Sequence, residues 1–198
     1  MNILSIDFDI IMAPDIQLYN AYVGRTNINQ LSNTHPILSM ARADLGIYQR
    51  LVDFLMKAVD NVDISNIRVA ASHQDIMNIM MGECDITMYS IDHHHDCGYG
   101  GKMDICDCAN WVAYHANQDI ITQYVWIRNP NSEEIVQRCN FNITQVNFFN
   151  CDFNGLPKFD KIFICLSPEW VPEHYHPLFF LMLDLINQKK NCQLQYHM

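Results

Sequence analysis

The sequence predicts an α/β protein: a single-domain, open and mostly parallel sheet flanked by helices. Short apolar runs alternate with stretches whose apolar residues recur at helical spacing, which is typical of strand–helix–strand units. Several apolar runs end in aspartate, histidine or glutamate, as strands do where an open parallel sheet binds ligands. The chain has 198 residues, of which 49% are hydrophobic and 17% charged. Because it shows no linker or repeat, we expect one domain over residues 1–198.

The first half of the chain contributes two strands and two helices to this prediction. Asn2 to Phe8 is a short apolar run, which we interpret as a buried strand ending in carboxylates. The polar residues 15–40 predict a surface loop or a flap facing a substrate. Apolar residues between Leu45 and Val59 fall on one helical face. Ile67 to Ala71 predicts a second strand, and Asp75 to Met81 a short helix whose methionines fill the core.

The second half repeats this alternation. Asp85 to Ile91 predicts a third strand, and Ala109 to His115 a short helix. Three more apolar runs bring the sheet to about six strands, namely Gln123 to Ile127, Gln145 to Phe149 and Lys161 to Leu166. Pro177 to Gln188 predicts the final helix. Strands separated by helical stretches favour parallel pairing, because parallel neighbours need a long crossover connection.

Charge and composition exclude several classes of function. A net charge of −10 argues against a nucleic-acid backbone as the partner and suits a cationic substrate or divalent metal ions. No apolar stretch reaches the roughly 20 residues of a membrane span, and the first residues lack the basic region of a signal peptide, so we expect a soluble cytoplasmic protein. Its eight cysteines should then stay reduced. Cys97, Cys106 and Cys108 lack the second tight pair of a structural zinc site and are expected to be buried free thiols.

Residue types that bind metals follow the predicted strands at their carboxyl ends. They are Asp7 and Asp9, His73, the segment Asp92 to Asp96, and Glu169. Charged groups cluster in a protein interior only when something pairs with them, and a dication is a natural partner. In D-x-D and D-x-H-x-D, alternate residues face the same way if the chain is extended. Because the carboxyl ends of parallel strands share one edge of the sheet, we expect these side chains to converge.

The ligand types predict the metal. A set rich in oxygen suits two hard or borderline divalent ions that share bridging carboxylates, and the set is Asp7, Asp9, His73, Asp92, His94 and Asp96. Manganese fits this set better than zinc, which usually takes three protein ligands in a catalytic site. Each motif alone has an ordinary explanation, since His73 could be a core histidine and Glu169 could cap a turn. The prediction of two Mn²⁺ ions per chain therefore rests on the joint pattern.

These motifs resemble those of the arginase/ureohydrolase superfamily. That family carries a D-x-H-x-D motif, matched from Asp92 to Asp96, and a D-x-D motif, matched within the segment Ser5 to Asp9. It also carries an earlier histidine at a strand end, which His73 matches. In ordinary arginases D-x-D follows D-x-H-x-D, whereas here it comes first. The chain therefore resembles a circularly permuted and shortened member of the superfamily, with a reduced, permuted arginase-like fold.

The arrangement is similar to that of the atypical peptide arginases, with further matches at Asn110-Trp111 and from Leu166 to Trp170. Those enzymes convert arginine to ornithine in ribosomally made peptide natural products. The resemblance implies that Asp7 and Asp92 bridge two manganese ions. It also implies that His73 and Asp96 complete one site and that His94 and Asp9 complete the other. The implied substrate is an arginine-containing precursor peptide, and the implied products are peptidyl ornithine and urea.

The resemblance to the family is less complete for the catalytic residues than for the metal ligands. We assign Glu169 to holding the guanidinium group, and Asp96 to accepting a proton from the bridging water. Arginases have a proton-shuttling histidine about a dozen residues after D-x-H-x-D, where this chain has Ala109 and Asn110. The residues that could substitute are His95, which lies within D-x-H-x-D, and His115, His174 or His176.

Three alternatives stay open at this point. Asp92, His93 and His94 form the triplet of DHH phosphoesterases, which also use D-x-D and two manganese ions, but no histidine precedes Asp7. A zinc deacetylase of the same superfold would keep one metal and leave carboxylates redundant. A non-catalytic metal-binding module would hold the ions without turnover. The sequence motifs do not indicate the oligomeric state, which peptide is bound or how a leader segment would be recognised.

Overall fold

The structure is a computed structural model that describes residues 1–13, 41–98, 105–132, 141 and 143–197. Its strands are β1 (Asn2–Asp7), β2 (Met12–Ala13), β3 (Arg42–Ala43), β4 (Ile67–Ala70), β5 (Ile86–Asp92), β6 (Ile121–Arg128), β7 (Ile143–Asn147), β8 (Lys161–Cys165) and β9 (Tyr196–His197). Its α-helices are α1 (Leu45–Ala58), α2 (Met77–Met80), α3 (Trp111–Ala116) and α4 (His176–Lys190). The expected excursion over residues 15–40 lies outside the described residues.

Seven of these strands form one sheet in the order β7-β6-β5-β1-β8-β4-β9, and each neighbouring pair is parallel. The predicted α/β class with an open, mostly parallel sheet is therefore confirmed. Strand β1 lies at the centre, between β5 and β8. Because all these strands run the same way, the carboxyl ends of β1, β4, β5 and β8 lie along one edge. The short strands β2 and β3 form a separate antiparallel pair.

Helices cover both faces of the sheet. On one face α1 and α4 pack against strand residues that include Leu4 and Ile6. On the other face α2 and α3 pack against residues that include Ile3 and Met88. Alternation along β1 turns Ser5 and Asp7 to the same face as Ile3. The side chains that leave the carboxyl end of β1 on that face thus point towards α3.

Several element boundaries differ from the prediction for local reasons. Strand β1 ends at Asp7 rather than Phe8, because the Asp7 carboxylate caps a 3₁₀ turn over Phe8–Ile11. The helix predicted from Asp75 to Met81 is a 3₁₀ turn over His73–Ile76 followed by α2. Met81 is 77% exposed, so the prediction that it fills the core was wrong. The two-residue strands β2, β3 and β9 were not predicted, because so short a segment carries no periodicity.

Two further predictions concern membranes and thiols. Within the described ranges, none of the helices is both long and apolar enough to cross a bilayer. The seven cysteines in these ranges are all free. Cys97 is buried as expected, whereas Cys106 is half-buried and Cys108 is exposed.

Candidate metal centre

Asp7 and Asp9 reach the same edge of the sheet through a turn. Asp7 Oδ1 accepts a hydrogen bond from the Asp9 N–H at 3.1 Å, which starts the 3₁₀ turn that follows β1. Both carboxylates are buried. The expectation that an extended D-x-D segment aligns them was wrong in its geometry, because the chain leaves the strand at Asp7. The two side chains are nevertheless brought together at the carboxyl edge.

The segment after β5 is also bent rather than extended. Asp92 Oδ1 accepts a hydrogen bond from the His94 N–H at 2.7 Å, and Asp96 adopts a left-handed backbone with φ of 50°. Asp9 ties the two segments together, since its Oδ1 accepts from the His93 N–H at 3.2 Å and its Oδ2 from His94 Nδ1 at 2.7 Å. The N-terminal aspartates thus lie directly against the histidine-rich segment.

His73 enters the same site from the turn after β4. Its Nε2 lies 2.7 Å from Ser5 Oγ, which fixes the ring by a hydrogen bond on the side away from the carboxylates. The ring packs against the side chains of Trp111 and Phe163, with ring centroids 5.0 Å and 5.8 Å away. Its Nδ1 therefore faces the carboxyl ends of β1 and β5.

The contacts of His73 Nδ1 fit the ligand shell of a cation. Oδ2 atoms of Asp7, Asp92 and Asp96 lie 3.1, 3.2 and 3.1 Å from it. Although these distances are short enough for hydrogen bonds, the angles are not suitable. Neither His73 Nδ1 nor Asp92 Oδ2 has a hydrogen-bond partner. Two ligands at right angles, each about 2.1 Å from one ion, lie about 3.0 Å apart. Buried polar atoms at that spacing without hydrogen bonds are what a metal ion would satisfy.

The candidate ligands form two groups that share one residue. The inner group is Asp7, His73 and Asp92, and the outer group is Asp9, Asp92 and His94. In each group one ligand atom per residue lies within 4.8 Å of the others. Asp96 joins the inner group through its 3.1 Å distance to His73 Nδ1. A shared carboxylate between two three-residue groups is an arrangement that can hold two divalent ions side by side.

The protonation states reflect the crowding of these carboxylates. Burial raises the pKa of Asp92 well above its usual value, and the charges of Asp96, Asp9 and Asp7 raise it further. Burial and Asp7 likewise raise the pKa of Asp9. Burial alone would lower the pKa of His73, but the surrounding carboxylates hold it well above the usual value. Without a metal the site therefore retains protons, which offset the negative charge of the carboxylates. A bound cation would replace these protons.

Groups outside the two sets hold the ligands in place, and sequence reasoning had not assigned them this role. Trp111 Nε1 donates to Asp96 Oδ2 at 2.6 Å. Trp126 Nε1 donates to the backbone carbonyl of Asp92 at 3.0 Å. Ser167 Oγ donates to Asp7 Oδ2 at 2.5 Å from a left-handed backbone with φ of 49°. Trp111 and Ser167 lie in segments that carry the family resemblance, but the sequence does not indicate which ligand each of them contacts, so only the fold reveals their partners.

The other predicted residues lie around this centre. Glu169 is exposed on the turn after β8. His95 is buried, and its Nδ1 accepts a hydrogen bond from the Cys97 N–H at 3.0 Å. Burial lowers the pKa of His95 to about 4, so its ring is neutral at neutral pH. It can take up a proton at Nδ1 only by losing the Cys97 hydrogen bond.

The three alternative histidines have other partners. His115 Nδ1 donates to the Trp111 carbonyl at 2.7 Å, and His176 Nε2 to the Val171 carbonyl at 2.9 Å. His174 is exposed and lies against the ring of Tyr175. In this structure the hydrogen bonds of His115 and His176 thus run to backbone carbonyls rather than to the two ligand groups.

Comparison with known proteins adds no assignment to this geometry. No family model, no curated protein and no solved structure matches the chain.

Proposed function

We propose that this protein is a two-metal hydrolase that uses two Mn²⁺ ions to cleave the guanidinium group of an arginine residue in a peptide, giving ornithine and urea. The observation that carries the proposal is the pair of ligand groups that share Asp92, in which every residue except the partly exposed His94 is buried. The inner group has unsatisfied buried atoms, which favours a bound cation over a purely structural cluster. The oxygen-rich ligand set favours manganese over the softer metals.

The metal pair and the protein contribute different parts of the chemistry. Two divalent cations supply Lewis-acid activation of water at neutral pH. Asp7, His73, Asp92 and Asp96 would hold one ion, and Asp9, Asp92 and His94 would hold the other. His73 would bind through Nδ1, since Ser5 Oγ occupies Nε2. This hydrogen bond sets the tautomer, as partners of metal-binding histidines commonly do.

Asp96 is the residue to which we assign proton transfer. Burial alone would raise the pKa of its carboxyl, but His73, His94 and the Trp111 indole lower it overall. Its Oδ2 faces His73 and accepts from Trp111, so we assign the proton-accepting role to Oδ1. A carboxylate fixed by one oxygen can offer the other in a constant direction, which general base catalysis requires.

Glu169 is our candidate for holding the substrate. It is an exposed carboxylate on the turn whose first residue, Ser167, hydrogen-bonds to Asp7. A carboxylate matches the planar guanidinium group with two parallel hydrogen bonds, which ammonium groups cannot reproduce. The net charge of −10 favours approach of a cationic peptide.

The test is urea release from a short arginine-containing peptide by protein reconstituted with Mn²⁺. We expect one urea and one ornithine residue per cleaved arginine, and no turnover by an Asp92→Ala variant. Free arginine and agmatine serve as comparison substrates, and a nitrophenyl phosphate ester tests the phosphoesterase alternative. Absence of urea from all three guanidino compounds would contradict the substrate assignment. Turnover by Asp92→Ala would contradict the role of the metal pair.

A further inference from the structure

The turn after β8 connects the two ligand groups. Its backbone closes through hydrogen bonds from the N–H groups of Trp170 and Val171 to the Ser167 carbonyl, at 2.9 and 3.0 Å. At the start of the turn, Ser167 Oγ donates to Asp7 Oδ2. At its end, the Trp170 ring lies against the His94 ring with centroids 5.1 Å apart. One short turn thus fixes an indole next to the outer group while remaining anchored to the inner group.

Exposure of the candidate ligands indicates where a substrate reaches the centre. The side chain of His94 is 20% exposed, whereas those of the other five candidate ligands are 6% exposed or less. Solvent therefore reaches the two groups beside His94. Trp170 is half-buried and lies at this opening, and Glu169 is exposed immediately before it. An aromatic ring thus borders the opening, and an exposed glutamate precedes it on the same turn.

We infer that Trp170 forms one wall of the substrate path and binds the flat cationic group of the substrate by contact with its indole face. This inference rests on the proposed function for the identity of the cation. Guanidinium groups stack on indole faces, and tryptophan is the aromatic side chain that attracts a cation most strongly. Glu169, one residue away on the same turn, supplies the opposite charge. Aromatic face and carboxylate together distinguish a planar cation from a neutral group of the same shape.

The protein offers a binding assay that needs no turnover. The chain has three tryptophans, and Trp111 and Trp126 are fully buried. Quenching by acrylamide therefore reports mainly on Trp170. We expect butylguanidine to protect this fluorescence in the Mn²⁺-loaded protein, and its neutral isostere butylurea to protect it more weakly. A Trp170→Phe variant, which lacks the reporter, gives the background for both titrations.

Substitution at Trp170 tests the role in substrate binding directly. Trp170→Leu keeps an apolar side chain but removes the aromatic face, and we expect the KM for an arginine peptide to rise about fivefold to tenfold. Trp170→Phe restores an aromatic face and should recover part of that loss. Both variants should keep two metal ions per chain and a kcat close to that of the original protein.

The outcomes separate this inference from the proposed function. An unchanged KM in Trp170→Leu, or equal protection by butylguanidine and butylurea, would overturn the role of Trp170 even if urea is released. Loss of metal in Trp170→Leu would also overturn it, because Trp170 would then serve to position His94. Protection by butylguanidine without urea from any guanidino compound would support the binding role and contradict the proposed reaction.

Discussion

The inner and outer groups differ in how far their polar atoms form hydrogen bonds with one another in the absence of a cation. In the outer group, His94 Nδ1 and Asp9 Oδ2 lie 2.7 Å apart and form a hydrogen bond. In the inner group, His73 Nδ1 faces three carboxylate oxygens at 3.1–3.2 Å, and none of these contacts is a hydrogen bond. The inner group therefore gives the stronger structural indication of a metal. The evidence for a metal ion in the outer group is that it shares Asp92 with the inner group.

Loss of the shared residue should have the largest effect. Asp92→Ala removes a carboxylate from both groups, so we expect the variant to bind neither ion tightly. Metal content per chain after gel filtration of Mn²⁺-loaded protein measures this. Asp53→Ala is the matched control, because Asp53 is exposed on α1, and it should keep two ions. If Asp92→Ala retained a full complement, the two groups would not depend on a common ligand.

Loss of a histidine should separate the two groups. We expect His94→Ala to bind one ion and to lose the outer one, while His73→Ala keeps only the outer one. Far-ultraviolet circular dichroism checks that each variant is folded, since both side chains are largely enclosed. Two ions in either variant, or none in both, would show that the groups do not act as separate sites.

Substitution of the tryptophans that hydrogen-bond to the ligand residues should weaken Mn²⁺ binding without abolishing either site. Trp111 donates to a side-chain oxygen of Asp96, whereas Trp126 donates to a backbone carbonyl. We expect Trp111→Phe to weaken Mn²⁺ binding about 10- to 100-fold, as loss of a partner of a metal ligand commonly does. Trp126→Phe is the control, because Trp126 is another fully buried tryptophan, and we expect it to have a smaller effect on the Mn²⁺ affinity. Equal effects on Mn²⁺ affinity, measured by calorimetry, would mean that packing rather than the Asp96 hydrogen bond is responsible.

Sequence patterns predicted the sheet and the residues of the ligand groups for the same reason. Buried parallel strands such as β1 and β5 are apolar throughout, so aspartates at their ends stand out. Because parallel strands share one carboxyl edge, residues 85 positions apart, such as Asp9 and His94, become neighbours once β1 pairs with β5. The strand order itself was not predicted, since β8 is inserted between β1 and β4 by long-range packing alone.

Features that depend on turn geometry were beyond the sequence patterns. The D-x-D and D-x-H-x-D segments converge through a 3₁₀ turn and a left-handed Asp96, not through extended alternation. Ser167 adopts a left-handed backbone, which a non-glycine residue rarely does, and no local signal marks it. The partners of Trp111 and Trp170 depend on a helix and a turn whose positions only tertiary packing determines.

The protonation of His73 gives the prediction with the smallest expected effect. In the metal-free protein its pKa is held well above the unfolded value near 6.5, so the stabilisation from its charged form is complete below that pH. This stabilisation is lost as the pH rises through the folded pKa. The raised pKa values of Asp92 and Asp9 act in the same direction, whereas the lowered pKa of His95 opposes it only at acidic pH.

We therefore expect the Tm of the metal-free protein to fall as the pH rises above about 6.5, while Mn²⁺-loaded protein is stabilised increasingly over the same range. The physical reason is that protons and metal ions compete for the same oxygen and nitrogen atoms, and the proton is withdrawn as the pH rises. Thermal unfolding with EDTA or with Mn²⁺ measures both trends. A metal-free protein that gained stability over this range would contradict a protonated His73 among the carboxylates, and with it the asymmetry between the inner and outer groups.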